Sequence, residues 1–202
     1  MDKRSGIDNR RVKMAYQVPA GISNKHIHLS RKDMDVLFGE GKELTKKSDL
    51  KQPGQFAAEE QVVIEGPKGS AKLRVLGPFR KETQVELAMT DCRTLGVAAP
   101  IRQSGDLEGT PGIKITGPCG SVELDHGVIV ALRHVHLSAD QAKEAGVKDQ
   151  QVVCVKVGGE RGLIFDNVVV RCGDGHTAEF HVDTDEGNAA KLGNGDMVEI
   201  LL

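Results

Sequence analysis

The sequence predicts a mainly β protein: two small β-barrel units capped by short α-helices, one unit a pseudo-duplicate of the other. Three observations carry this. Val-rich runs of four to eight residues are cut repeatedly by 24 glycines and seven prolines, while aromatics are scarce, with five Phe, one Tyr and no Trp. Such punctuation describes short strands and tight turns rather than a helical bundle. A ten-residue stretch, Gly-Ile-Ser-Asn-Lys-His-Ile-His-Leu-Ser at 21–30, returns at 131–138 as Ala-Leu-Arg-His-Val-His-Leu-Ser. The segments after the two copies also repeat: a capped helix, hairpins, then Thr-Asp opening a second short helix. The 202 residues suit one large domain or two, the latter of about 100 residues each.

The elements run in order. Residues 1–16 are polar and basic without an apolar stripe, which describes a flexible tail. Val18 to His28 reads as one strand carrying the first histidine pair. Ser30 is an N-cap for a helix over Arg31–Phe38 that Gly39 ends. Residues 40–55, with Lys42, Lys46, Lys47 and Lys51, form a basic loop long enough to be functional. Gln61–Glu65 and Ala71–Leu76 form a hairpin through Gly66-Pro67-Lys68-Gly69-Ser70, and a similar Gly-Pro turn at 117–121 joins Ile113–Thr116 to Val122–Leu124. Thr83–Ala88 alternates in polarity, and Thr90-Asp91 opens a helix ending near Gly96. Pro100–Gly112 is the one evident linker. In the second half Ser138 caps a helix to Ala145 that Gly146 ends. Gln151–Val157, Leu163–Arg171 and Thr177–Val182 are strands, Thr184-Asp185 opens a helix through Ala190, and Met197–Leu201 closes the sheet.

The histidine pairs carry the chemistry. On a strand, positions i and i+2 share a face roughly 6.5–7 Å apart, and imidazoles so placed converge on one ion with bonds of ~2.0–2.1 Å if it is zinc. Each pair needs a third ligand, and the strand before each Thr-Asp supplies one: Glu86 for His26 and His28, His181 for His134 and His136. Glu86 lies four residues before Thr90 and His181 three before Thr184, a slip that a β-bulge would absorb. Three protein ligands leave open positions, the catalytic pattern of zinc rather than the closed structural one. Arg80 follows Gly77-Pro78-Phe79, a turn that would aim its fork inward, and a planar guanidinium suits phosphate. His126 and His176 sit beside Gly-Asp-type turns and are expected at the surface.

Other classes are excluded by composition. A net charge of −2 gives no electrostatic case for nucleic acid. No apolar run approaches a membrane span and no leader pattern opens the chain, so a soluble cytoplasmic protein is expected, with no membrane partner. Cys92, Cys119, Cys154 and Cys172 form no C-x-x-C pair, which disfavours a cysteine zinc module and fits free thiols in a reducing compartment.

Several longer stretches resemble one family. The first histidine motif, Gln-Pro-Gly-Gln-Phe-Ala-Ala-Glu-Glu at 52–60, Arg133-His-Val-His136, Val157-Gly-Gly-Glu-Arg-Gly-Leu-Ile-Phe-Asp-Asn167 and His181-Val-Asp-Thr-Asp-Glu186 are similar to the PduL-type phosphate propanoyltransferases from about Val18 onward. The resemblance implies a phosphotransacylase built from two β-barrels with two zinc ions per chain and coenzyme A bound between them. It implies that residues 17–24 join 132–202 in one barrel and that 25–131, with the 40–55 loop, form the other. It assigns His26, His28 and Glu86 to one zinc and His134, His136 and His181 to the second. Arg80 takes the phosphate, while Ser23, Lys47, Arg74, Leu76, His181 and Asn188 take CoA positions. Phosphate would attack the thioester directly, with acyl-CoA and inorganic phosphate as partners. The resemblance also implies a homo-oligomer, a dimer or higher, and, as an alternative location, the lumen of a bacterial microcompartment with its shell or core proteins as partners. Residues 1–16 lack the amphipathic targeting pattern of encapsulated relatives. Two other classes compete: a dinuclear zinc hydrolase, and a non-catalytic assembly of β-barrels with structural histidines.

Overall fold

The computed structural model describes residues 16–202. The expected tail therefore lies outside the described residues, except Tyr16, which opens the first strand. In chain order, β1 (Tyr16–Ser23) and β2 (His26–His28) lead into α1 (Arg31–Phe38), then β3 (Lys46–Asp49), β4 (Phe56–Gly66), β5 (Gly69–Gly77), β6 (Gln84–Leu87) and α2 (Met89–Leu95). The middle holds β7 (Ile101–Arg102), β8 (Lys114–Thr116), β9 (Ser121–Glu123) and β10 (Val128–Ala131). The remainder is β11 (His134–Leu137), α3 (Ala139–Ala145), β12 (Val152–Val157), β13 (Leu163–Cys172), β14 (Glu179–Asp183), α4 (Thr184–Ala190) and β15 (Met197–Leu201).

The fold is mainly β, in two units. One is a closed barrel in the order β1-β14-β11-β13-β12-β15. The other is a nine-stranded sheet in the order β7-β10-β6-β2-β5-β4-β8-β9, with β3 on β4. The duplication is visible strand by strand. β2 lies between β5, parallel to it, and β6, antiparallel. β11 lies in the same way between parallel β13 and antiparallel β14. β1 runs parallel to β14 just as β10 runs parallel to β6.

The strand before each histidine pair belongs to the other unit. The continuous strand expected over Val18–His28 is therefore two strands, broken at Asn24-Lys25, because β1 pairs in the barrel and β2 in the sheet. The same break at Leu132-Arg133 separates β10 from β11. Hydrophobic alternation cannot show such a crossing, since both strands keep the period of 2. The 40–55 loop likewise contains a strand, β3, fully exposed and unmarked by apolar residues.

The caps are local and form where expected. Ser30 Oγ accepts from the Asp33 amide at 3.1 Å, and Ser138 and Gln141 cap each other reciprocally at 3.2 and 2.9 Å. Gly96 and Gly146 end α2 and α3 with φ of 75° and 72°, the left-handed region where a side chain is strained. Each unit encloses its own core. The barrel core is Val-rich around Phe180 and Ile200, and the sheet buries Ile27, Leu37, Ile64, Leu73 and Ile115 beneath α1 and α2.

Ile200 is 0% exposed on β15, which closes the barrel between β1 and β12. Ile200→Ala is expected to destabilise by about 2–5 kcal/mol through lost burial and the cavity left behind. Urea unfolding checks this as a lower midpoint at unchanged slope.

Candidate functional site

The two crossings build the site. At each, a backbone carbonyl faces the histidine two residues on: His26 Nδ1 lies 2.8 Å from Asn24 O and His134 Nδ1 lies 2.8 Å from Leu132 O. A carbonyl only accepts, so each Nδ1 carries the hydrogen and each Nε2 keeps its lone pair. The second histidine of each pair then lies on the same strand face.

The third member of each cluster comes from the antiparallel neighbour in identical register. Glu86 on β6 is the Cα partner of His26, and His181 on β14 is the Cα partner of His134. The one-residue slip disappears without a bulge. Helix α2 begins at Met89 with Ala88 as N-cap, so its Thr90-Asp91 occupies the second and third positions, whereas Thr184-Asp185 occupies the first and second of α4. Counted from the helix start, both residues lie three before it.

His26, His28 and Glu86 bring donor atoms within 4.8 Å of one another, and so do His134, His136 and His181. In the first triad His26 Nε2 is 3.4 Å and His28 Nε2 is 4.0 Å from the Glu86 carboxylate. In the second, His134 Nε2 and His136 Nε2 stand 3.1 Å apart, with ring centroids 5.1 and 5.0 Å from His181. Burial, with His26 beside it, lowers the His28 imidazole to about 3, and burial, with His181 beside it, lowers His134 to about 4. Burial alone would raise Glu86, but His26, His28, Ser104 and Arg80 outweigh it and hold the carboxyl below its usual range. Neutral imidazoles beside an ionised carboxylate are the protonation states that a divalent metal requires. His28 Nδ1 and His136 Nδ1 are buried without a hydrogen-bond partner, while it is the Nε2 atoms of these rings that face their triads. Both triads fit a metal ion.

The triads face one cleft of about 610 Å³ between the barrel and the sheet. Ser23, Arg74, Leu76 and Arg80 line it with all six triad members. Lys47 and Asn188 do not: Lys47 is exposed and 3.4 Å from Glu59 Oε2, and Asn188 is exposed on α4. His126 is exposed as expected, beside Asp125 and Glu82. His176 is a correction. It is half-buried in the cleft and stacked on His136 at 4.7 Å between centroids, at the end of the Gly173–His176 turn that follows β13.

Other cleft residues were not singled out from the sequence, although Gln52 opens the family-like stretch at 52–60. Ser104 lies in the supposed linker, yet its hydroxyl donates to Glu86 Oε1 at 2.9 Å and accepts from Arg80 Nη1 at 2.8 Å. Arg171 on β13 lines the cleft as well. Gln52, from the basic loop, is 3% exposed and reaches across to the barrel. Its amide donates to Thr177 O at 3.0 Å and to Glu179 Oε2 at 3.1 Å, and accepts from Thr177 N at 3.2 Å. The same Glu179 oxygen accepts from His181 Nε2 at 2.6 Å. Burial would raise the Glu179 carboxyl, but these bonds outweigh it and lower it. An ionised carboxylate only accepts, so His181 carries its hydrogen on Nε2 and leaves Nδ1 free for a metal. Gly21 makes room for Glu179, since a Cβ there would stand 2.8 Å from Glu179 Oε1.

Gln52→Leu removes three hydrogen bonds, taking from the Thr177 N–H and C=O the partners they have in Gln52 while Glu179 Oε2 keeps only His181, for an expected loss of about 1–3 kcal/mol in denaturant unfolding. Gln103→Leu breaks an exposed amide pair with Gln150 and is expected to stay within about 0.5 kcal/mol.

The chain is similar to known proteins of one family. A family model described as phosphate propanoyltransferase matches residues 19–193. The chain is 56% identical over 183 residues to a phosphate propanoyltransferase of Thermotoga maritima, covering 90% of this chain and 87% of that one. It is 53% identical to one of Rhodopseudomonas palustris, covering 92% and 82%, and 50% identical to one of Salmonella typhimurium, covering 88% and 85%. With the match spanning both triads, Arg80 and the strands that position them, the chain belongs to the phosphate propanoyltransferase family.

Proposed function

We propose that this acyltransferase is a zinc-dependent phosphotransacylase, moving a propanoyl or acetyl group reversibly between CoA and inorganic phosphate. One observation carries the reading: two buried three-donor triads face a single cleft that also holds Arg80. His26, His28 and Glu86 would hold one zinc ion and His134, His136 and His181 the other. When bound, zinc supplies a Lewis acid that tolerates a thiolate sulfur and draws charge from the reacting groups.

The chain's own residues do the rest. Arg80, oriented by Ser104, offers a planar fork to the phosphate oxygens. Ser23, Arg74, Leu76 and His181 are placed to take the thioester end of CoA, with Lys47 and Asn188 on the outer surface for its polar end. A phosphate oxygen attacks the carbonyl carbon, the C–O bond forms, the C–S bond breaks, and CoA leaves as the thiolate. A direct displacement between two bound substrates accounts for the reaction without a covalent enzyme intermediate, and none of the four cysteines lines the cleft. Holding both substrates in one cleft supplies on the order of 7–11 kcal/mol in favourable cases. A dinuclear hydrolase would share a bridging ligand between its metals, and the two triads share no residue.

We read residues 17–24 with 132–202 as one domain and 25–131 as the other. Homo-oligomerisation and a microcompartment location rest on the family resemblance alone. Among the described residues no helix is long and apolar enough to cross a membrane.

Purified protein is expected to carry about two zinc ions per chain, and His134→Ala with His136→Ala to lose one of them while keeping the fold. Elemental analysis with circular dichroism checks both. Less than half an equivalent of zinc, with activity retained in chelator, would overturn the metal assignment. Arg80→Lys keeps the charge but loses the fork. It is expected to raise the KM for phosphate or lower turnover while leaving the acyl-CoA KM nearly unchanged, in assays of phosphate-dependent CoA release.

A further inference from the structure

Besides Arg74 and Arg80 the cleft holds a third guanidinium, to which the proposed reaction assigns no role. Arg171 sits on β13 as the Cα partner of His136, in the parallel pairing that brings β13 alongside β11. It lines the cleft together with Arg80. The two arginines come from different units. Arg80 follows β5 at the edge of the first triad, where its charge is felt at His28 and Glu86. The charge of Arg171 is felt at His134, His136 and His176 around the second triad. It also reaches Arg80, whose guanidinium is held below its ordinary range by burial and by Arg171.

Two like charges in one partly buried cleft repel each other, and although the Glu86 carboxylate attracts Arg80 through the cleft, neither arginine has a direct ion-pair partner. Among the described residues no carboxylate lies within 4.0 Å of either guanidinium. The duplication supplies a contrast. Arg74 stands on β5, the counterpart of β13, one pleat earlier at the register of His26, and its Nη1 is committed to Ala58 O. The side chain of Arg171 has no hydrogen bond to any described residue. A cation held in a partly desolvated cleft gains from a group of opposite charge, and two half-buried forks lining one space suit a tetrahedral dianion with several free oxygens.

We propose that Arg171 and Arg80 form a clamp, one arginine from each unit, that holds the phosphate dianion, and on the reverse reaction the phosphoryl end of the acyl phosphate, between the two triads. Arg171 is thus a substrate-binding residue for the inorganic partner and not for CoA. The clamp rests on the phosphotransacylase reading for its role in turnover, but its affinity for phosphate does not.

The test uses the zinc-loaded full chain and its Arg171→Gln and Arg171→Lys variants, titrated with inorganic phosphate by calorimetry and assayed with phosphate and propanoyl-CoA varied separately. Arg171→Gln is expected to weaken phosphate binding and raise its KM at least tenfold, with the propanoyl-CoA KM within twofold and two zinc equivalents retained. Arg171→Lys should recover part of the loss, since it restores the charge without the fork. Removing one of two repelling cations should leave thermal stability unchanged or higher, which a merely structural arginine would not do. Unchanged phosphate binding in Arg171→Gln would overturn the clamp, as would a rise confined to the propanoyl-CoA KM or the loss of a zinc equivalent. Wild-type protein that binds phosphate with both arginines intact but transfers no acyl group would sink the phosphotransacylase reading and leave the clamp standing.

Discussion

The site depends on the two points where the chain crosses between units. At Asn24-Lys25 and at Leu132-Arg133 the backbone leaves one sheet and enters the other, and the carbonyls of Asn24 and Leu132 are left outside any strand ladder. Each finds its donor in the Nδ1–H of the histidine two residues on, at 2.8 Å in both cases. One hydrogen bond thereby satisfies a stranded carbonyl, selects a tautomer and points Nε2 into the cleft. Because each unit takes the strand that precedes the other unit's histidines, the barrel and the sheet are joined by two covalent crossings, and the cleft between them holds both triads.

The electrostatics derive from burial. Imidazoles removed from water disfavour their charged form, and each is further disfavoured by its neighbours, so the ring nitrogens remain lone-pair donors at neutral pH. Glu86 and Glu179, the buried acids of the cleft, remain ionised because hydrogen bonds and nearby positive charge outweigh the same desolvation. Glu86 is a member of its triad, whereas Glu179 sits behind His181. The duplicated frame has thus taken a carboxylate as the third triad member in one half and a histidine backed by a carboxylate in the other.

Gln52 makes the basic loop part of this arrangement. Its amide meets both the N–H and the C=O of Thr177 as a strand neighbour would, and its remaining hydrogen goes to Glu179. A loop belonging to the sheet unit therefore supports a triad member belonging to the barrel. The stretch from 49 to 55 forms part of the cleft wall for the same reason, with Leu50, Lys51 and Gln55 beside Gln52.

What the sequence by itself determined was local and periodic. The Ser caps and Gly ends of α1 and α3, the Gly-Pro hairpin turns, the mainly β class, the duplication and the two histidine pairs all depend on residues within a few positions of one another. The triads were legible because duplication supplied a second copy against which Glu86 and His181 could be matched. Only the tertiary structure decided which sheet each strand joined. Both strands around Asn24 carry the same period of 2, and a partner more than a hundred residues away leaves no local trace. The cleft residues not assigned to the site from the sequence share this origin. Ser104, Gln52, His176 and Arg171 are ordinary polar residues in a linker, a loop, a turn and a strand end. They became part of the site because pairing across the two units brought them to the same buried space, where desolvation makes each unpaired donor or charge costly.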